Sequence, residues 1–247
     1  MRGFFDAMSL LTRLRTRGGS DTERALPWMP VVGALVGIAA ALVYATARVA
    51  LAPWVSASLA IAAGIHVTGA LHEDGLADVA DAFGARVDRA RAIEILQDPH
   101  HGTYGILALI LSVVTRIAAV ATMGPWTAVA ALPAAHALGR AGSLAVMSSI
   151  PAAGSSTLGA SYKRDPIGGR ALAGIAFAVV VAGAALGVWT PVAVPVTLVA
   201  CAVTAGLAIQ KIGGFNGDVL GAAEQLTEIG ILLLVAATHR SIPWWHA

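Results

Sequence analysis

Residues 103–123 read TYGILALILSVVTRIAAVATM, twenty-one positions in which Arg116 is the only charge. As a helix rising about 1.5 Å per residue, the stretch reaches roughly 31 Å, the depth of a bilayer's hydrocarbon layer. Outward from it, six more stretches have the same character: about 30–51, 55–71, 126–149, 171–189, 192–211 and 218–238. Of 247 residues, 57% are hydrophobic and 12% charged, so the bilayer has to be the main solvent. The apolar content is Ala, Val, Leu, Ile and Gly rather than aromatic, which suits closely packed spanning helices. The expected fold is an all-α polytopic transmembrane bundle of about seven spans, a single integral membrane domain over 1–247.

The breaks between spans are of two kinds. Ala52-Pro53, Gly124-Pro125 and Thr190-Pro191 read as tight turns, because proline cannot continue a helix and biases its predecessor away from one. The segments 72–102, 150–170 and 212–217 read as longer polar loops. Five arginines precede the first span, and Arg86, Arg89, Arg91, Lys163, Arg164, Arg170 and Lys211 fall in those loops, leaving Arg48 and Arg240 opposite. The positive-inside rule then places the N-terminus and the long loops in the cytoplasm and the C-terminus outside, as for a multi-pass protein of the inner membrane. Residues 4–14 resemble no cleavable signal and suggest an amphipathic helix on the membrane surface. Trp28, Trp54, Trp126, Trp189, Trp244 and Trp245 fall at span ends, as an interfacial belt does. Gly33-x-x-x-Gly37, Gly183-x-x-x-Gly187 and Gly217-x-x-x-Gly221 have the spacing of helix-packing motifs. A lone Cys201 excludes a disulfide framework, and no basic patch interleaved with aromatics points to nucleic acid.

The chemistry concentrates in His72-Glu73-Asp74-Gly75-Leu76-Ala77-Asp78-Val79-Ala80-Asp81. Asp74, Asp78 and Asp81 are spaced i, i+4, i+7, so a helix would set their carboxylates within about 40° of one another. Like charges stacked in that way repel unless a cation is bound, and oxygen ligands suit Mg²⁺, or alternatively Mn²⁺. Gly75 would let a phosphate approach the backbone. Arg116, His136, Arg140, Glu224 and Glu228 lie inside hydrocarbon-length spans, where each is costly. They read either as structural ion pairs or as a functional set, with the arginines holding phosphate oxygens and the glutamates completing a metal shell. The turn Gly213-Gly214-Phe215-Asn216-Gly217-Asp218 could offer backbone N–H groups to an anion. Two histidines, His100 and His101, precede the Thr103 span.

Together these residues resemble the cobalamin synthase family, the adenosylcobinamide-GDP ribazoletransferases, whose pattern is similar to HxDGLADxxD, then D-x-x-x-G-x-x-G, then GGxxGDxLGA. Here the three are His72 to Asp81, Asp98 to Gly105, and Gly213 to Ala222, and Leu11-Thr12-Arg13-Leu14 and Gly139-Arg140 fit as well. Glu73, His100, Ala82 and Gln225 depart from that pattern. The resemblance implies Mg²⁺-dependent transfer from adenosylcobinamide-GDP to α-ribazole, or its 5′-phosphate, with release of GMP. It implies Asp74, Asp78, Asp81 and Asp218 as metal ligands and Asp81 or Glu228 as proton acceptor. Substrate and phosphate contacts would come from Arg13, His72, Gly75, Asp98, His101, Arg116, Arg140, Gly214 and Gly217. Oligomers and association with other cobalamin-assembly enzymes are compatible with it. Two rivals remain: a membrane transferase acting on another nucleotide-diphospho-alcohol, and a secondary transporter using Glu224, Glu228 and Arg140 as an ion relay.

Overall fold

The computed structural model describes residues 2–14, 16–17, 21–153 and 168–238. Lys163, Arg164, Arg240, Trp244 and Trp245, used above for topology and the aromatic belt, lie outside the described residues. The described elements are helical: α1 (Arg2–Leu11), α2 (Thr22–Ala25), α3 (Met29–Ala47), α4 (Pro53–Thr68), α5 (Leu71–Gly84), α6 (Arg89–Ile95), α7 (Thr103–Thr122), α8 (Pro125–Ser149), α9 (Gly169–Leu186), α10 (Thr190–Ile212) and α11 (Gly217–Thr238). One isolated parallel bridge joins Ala152 to Phe215.

Among the described residues, four helical runs are long and apolar enough to cross a membrane: Thr22–Ala47, Thr103–Thr122, Gly169–Ile212 and Gly217–Thr238. The pair α4 and α5, bent by 89°, makes up to a fifth. By length and hydropathy alone, then, the described residues give four or five candidate spans where about seven were expected. Residues 55–71 do not form a straight span, because the left-handed residues Gly69 (φ 69°) and Ala70 (φ 62°) end α4 and turn the chain into α5. Residues 171–211 are one long helical run with its break at Gly187 rather than at Thr190-Pro191. Helix α8 forms as expected over 126–149, but small and polar residues lower its hydropathy. It needs little apolar content, since it is the central helix and is buried along most of Thr127–Met147, shielded by α3, α9, α10 and α11. Ile106, Leu107, Ile110 and Leu111 on α7, by contrast, are half exposed or more, as a lipid-facing surface requires.

Small residues set the packing distances. A Cβ added at Gly33 or Gly37 would lie 2.5 Å from the α8 backbone, so that glycine pair is a true helix-packing motif, whereas Gly183 has nothing within 4 Å. Helix α1 forms from the amphipathic N-terminal stretch, with Ala7 and Leu11 docked on the bundle. The expected loop over 72–102 is instead mostly helical, as α5 and α6.

Candidate active site

The sharp turn at Gly69-Ala70 lays α5 against the start of α11. Close approach depends on two glycines. A Cβ at Gly75 would fall 2.8 Å from the carbonyl oxygen of Asp218, and one at Gly221 would fall 3.3 Å from the backbone of His72. Gly75 therefore makes room for a neighbouring helix, and Gly221 lies at a close helix contact of the kind its spacing predicts.

This crossing gathers Asp74, Asp78 and Asp218 at one end of the bundle, where α4 ends and α7 and α11 begin. His101 joins them from the loop before α7: its Nε2 is 3.4 Å from Asp74 Oδ1 and its Nδ1 is 3.3 Å from Asp78 Oδ1. Asp218 accepts a hydrogen bond of 2.8 Å from Asn216 Nδ2, while Asn216 Oδ1 caps α11 by accepting from the Val219 N–H. Burial, reinforced by the charges of Asp74 and Asp218, pushes the Asp78 carboxyl up to about 6 from its ordinary 3.8.

Asp81 has a different task. Its two oxygens accept the backbone N–H groups of Gly102 (2.6 Å) and Gly105 (2.9 Å), so it caps the N-terminus of α7 from across the chain. A Cβ at Gly102 would lie 2.7 Å from the Asp81 carboxylate, which is why glycine stands there. The cap fixes the loop that carries His101. Asp98 faces solvent and is held below the usual carboxylate range by hydrogen bonds from the His100 side chain and backbone.

Deeper in the bundle lies a second charged group. Arg116, 1% exposed, bridges Glu73 and Glu228, with Nη2 and Nη1 each 3.1 Å from a carboxylate oxygen. Arg140, equally buried, pairs with Glu224 and lies 2.9 Å from His136 Nδ1. Gln225 ties the two halves by donating to Glu73 (3.3 Å) and Glu224 (2.9 Å), and it accepts from Ser112 (3.2 Å). His136, Glu224 and Glu228 form the one trio of His, Cys, Asp or Glu residues, among those described, whose ligand-type atoms all lie within 4.8 Å. That trio already surrounds a cation: Arg140 Nη1 sits against all three residues. It reads as an ion-pair core, so the reading of Arg116 as a phosphate contact and of Glu228 as proton acceptor gives way to structural pairing. Both are sealed inside the bundle.

Between the two groups, a cavity of about 280 Å³ is lined by residues of α1, α2, α3, α5, α8 and α11, including His72, Asp74, Arg140, Gly217 and Asp218. The remaining expected contacts lie elsewhere. Gly214 is buried and gives its N–H to Ala208, and the Gly213 N–H goes to Ala208 and Ile209, so the glycine turn closes α10 rather than cradling an anion. Arg13 is exposed, its N–H bonded to Val67 O (2.9 Å) and its side chain lying over Gly69.

The profile of the cobalamin-5-phosphate synthase family matches residues 3–236. This chain belongs to that family. It is 48% identical over 219 residues to the adenosylcobinamide-GDP ribazoletransferase of Bradyrhizobium diazoefficiens, covering 87% of this chain and 83% of the relative. It is 39% identical to that of Mesorhizobium japonicum (88% and 85% covered) and 35% identical to that of Polaromonas sp. (95% and 94% covered). No solved structure matches. The chain is accordingly a transferase of cobalamin biosynthesis.

In this chain the acidic motif divides its labour: Asp74 and Asp78 face the site, Asp81 caps α7, and Glu73 enters the buried ion-pair core. Glu73 was seen in the sequence only as a departure from the family pattern. A signal for its task was available, since Glu73 lies about 100° around the helix from the stripe of three aspartates and Arg116 needed a partner. Ser143, Met29 and Met147, which also line the cavity, carry no such signal, being ordinary residues of apolar helices.

Proposed function

We propose that the chain transfers the adenosylcobinamide-phosphate group of adenosylcobinamide-GDP to α-ribazole or its 5′-phosphate, releasing GMP, at the cytoplasmic face of the inner membrane and with Mg²⁺ as cofactor. The observation that carries this reading is the meeting of Asp74, Asp78 and Asp218 at the rim of a cavity. Among the described residues, His101 and Asn216 stand beside them and no guanidinium or ammonium makes an ion pair with them; Asp74 and Asp218 line the cavity, and Asp78 stands beside them. Crowded carboxylates without a fixed counter-charge fit a hard divalent cation. Their oxygens do not all lie within 4.8 Å of one another, so a Mg²⁺ there would be held by one or two carboxylates and complete its shell with waters and substrate phosphate oxygens. Bound there, Mg²⁺ would neutralise charge on the pyrophosphate.

The chain's own residues do the rest. The ribose hydroxyl oxygen bonds to the cobinamide-side phosphorus as the bond from that phosphorus to the GMP oxygen breaks. Whichever of Asp74 and Asp218, both lining the cavity, is not engaged by the metal would take the hydroxyl proton, since both oxygens of Asp81 accept backbone N–H groups and Glu228 is buried against Arg116. His101 and the Asp81 cap keep the loop before α7 against the acids. The arginines of the first polar segments and of the 72–102 region support the cytoplasmic orientation.

The test is a product assay on purified protein with adenosylcobinamide-GDP and α-ribazole. GMP and the cobalamin product are expected together, only with both substrates and Mg²⁺. Absence of GMP release, or flux across sealed vesicles without nucleotide turnover, would sink the proposal. A pH dependence follows from Asp78. Its raised folded value means that the metal-free protein holds a proton the unfolded chain has lost, so stability falls as pH rises from 3.8 to about 6. A cation must displace that proton. Mn²⁺ affinity, read by paramagnetic titration, should therefore drop roughly tenfold per pH unit below 6 and level off above it.

A further inference from the structure

The motifs that identify the family leave the cavity itself unassigned. Leu10 and Leu11 of α1, Met29 of α3, Met147 of α8, Leu71 of α5 and Leu220 of α11 make its walls apolar. Its polar side chains are Thr22, His72, Asp74, Arg140, Ser143 and Asp218. Arg140, 1% exposed, is locked by Glu224 and His136, which gives the cavity a rigid charged wall rather than a mobile arm.

Size and polarity choose among the reactants of the proposed reaction, on which this inference rests. At about 280 Å³ the space is at the small end of ligand sites, which run from roughly 300 to 1,000 Å³. A corrin ring carrying a nucleotide tail does not enter it. GMP would present a polar-edged base to leucine and methionine. Ribazole is a benzimidazole riboside, a flat apolar two-ring base joined to a hydroxyl-bearing sugar, and that division matches apolar walls leading to carboxylates. We infer that this cavity seats the apolar base of the ribazole acceptor, with its ribose directed to Asp74 and Asp218. Met29 and Met147 shape the base pocket, and thioether side chains adapt readily to a flat ring. Leu10 and Leu71 form its margin.

Leu10 and Leu71 are 36% and 45% exposed, so a larger side chain at either place narrows the cavity without entering the packed core. Leu10→Trp and Leu71→Trp are each expected to raise the KM for α-ribazole ~10-fold or more, while the KM for adenosylcobinamide-GDP stays put. Equilibrium binding of α-ribazole alone, followed by benzimidazole fluorescence, should weaken in parallel, and GMP should not displace it from the unmodified protein. An unchanged ribazole KM in both variants overturns the assignment. So does a rise confined to the donor KM, or displacement of ribazole by GMP. A protein that binds ribazole but turns nothing over would instead defeat the transferase reading and leave the cavity assignment standing.

Discussion

Asp78→Asn is expected to lower Mg²⁺-dependent GMP release by roughly 10²–10³-fold, the usual loss when one preorganised charge at a reacting group is removed. The substitution keeps the side chain's volume and its place on α5, half-buried between Asp74 and Asp218, so the fold has no reason to change. What it removes is one of three carboxylates that meet with no Lys or Arg ion-pair partner among the described residues. The amide can still contact His101, whose Nδ1 lies 3.3 Å from Asp78 Oδ1. A variant that retains full turnover at saturating Mg²⁺ would show that the acids at the rim are not the metal site. Raised Mg²⁺ demand with a well-ordered fold is the supporting result.

The second large effect is on stability. Arg116→Ala should destabilise the bundle by about 3–5 kcal/mol, because it leaves Glu73 and Glu228 as buried carboxylates without their shared partner. Arg116→Lys should recover little, since an ammonium cannot reproduce the two-armed bridge of a guanidinium. Thermal unfolding in detergent measures the effect. A phosphate-binding Arg116 would behave in the opposite way, with kinetics disturbed and the unfolding midpoint unchanged, and that outcome would return the residue to the active site. The same contrast separates Glu228 from a proton acceptor: its carboxylate is 1% exposed and lies against Arg116 and His136.

The sequence by itself determined that the chain is helical and lives in a membrane. Hydropathy over spans such as 103–123 is a local property that any tertiary arrangement must respect. It also determined the family, through three ordered motifs, and the i, i+4 relation that puts Asp74 and Asp78 on one stripe of α5. Asp81 shares that stripe, yet its partners, Gly102 and Gly105, lie more than twenty residues away, and no periodicity within the motif could announce a helix cap supplied from there. Likewise, Arg116 and Arg140 were visible as costly charges in apolar spans, but whether such a charge meets a phosphate or a carboxylate depends on which helix packs beside it. Only the tertiary structure decided that Glu73, Glu224 and Glu228 are those partners. It also decided that α5 folds back at Gly69-Ala70 to bring Asp218 to the acids. Burying a charge demands a partner, and sequence spacing names that partner only when both stand on the same helix.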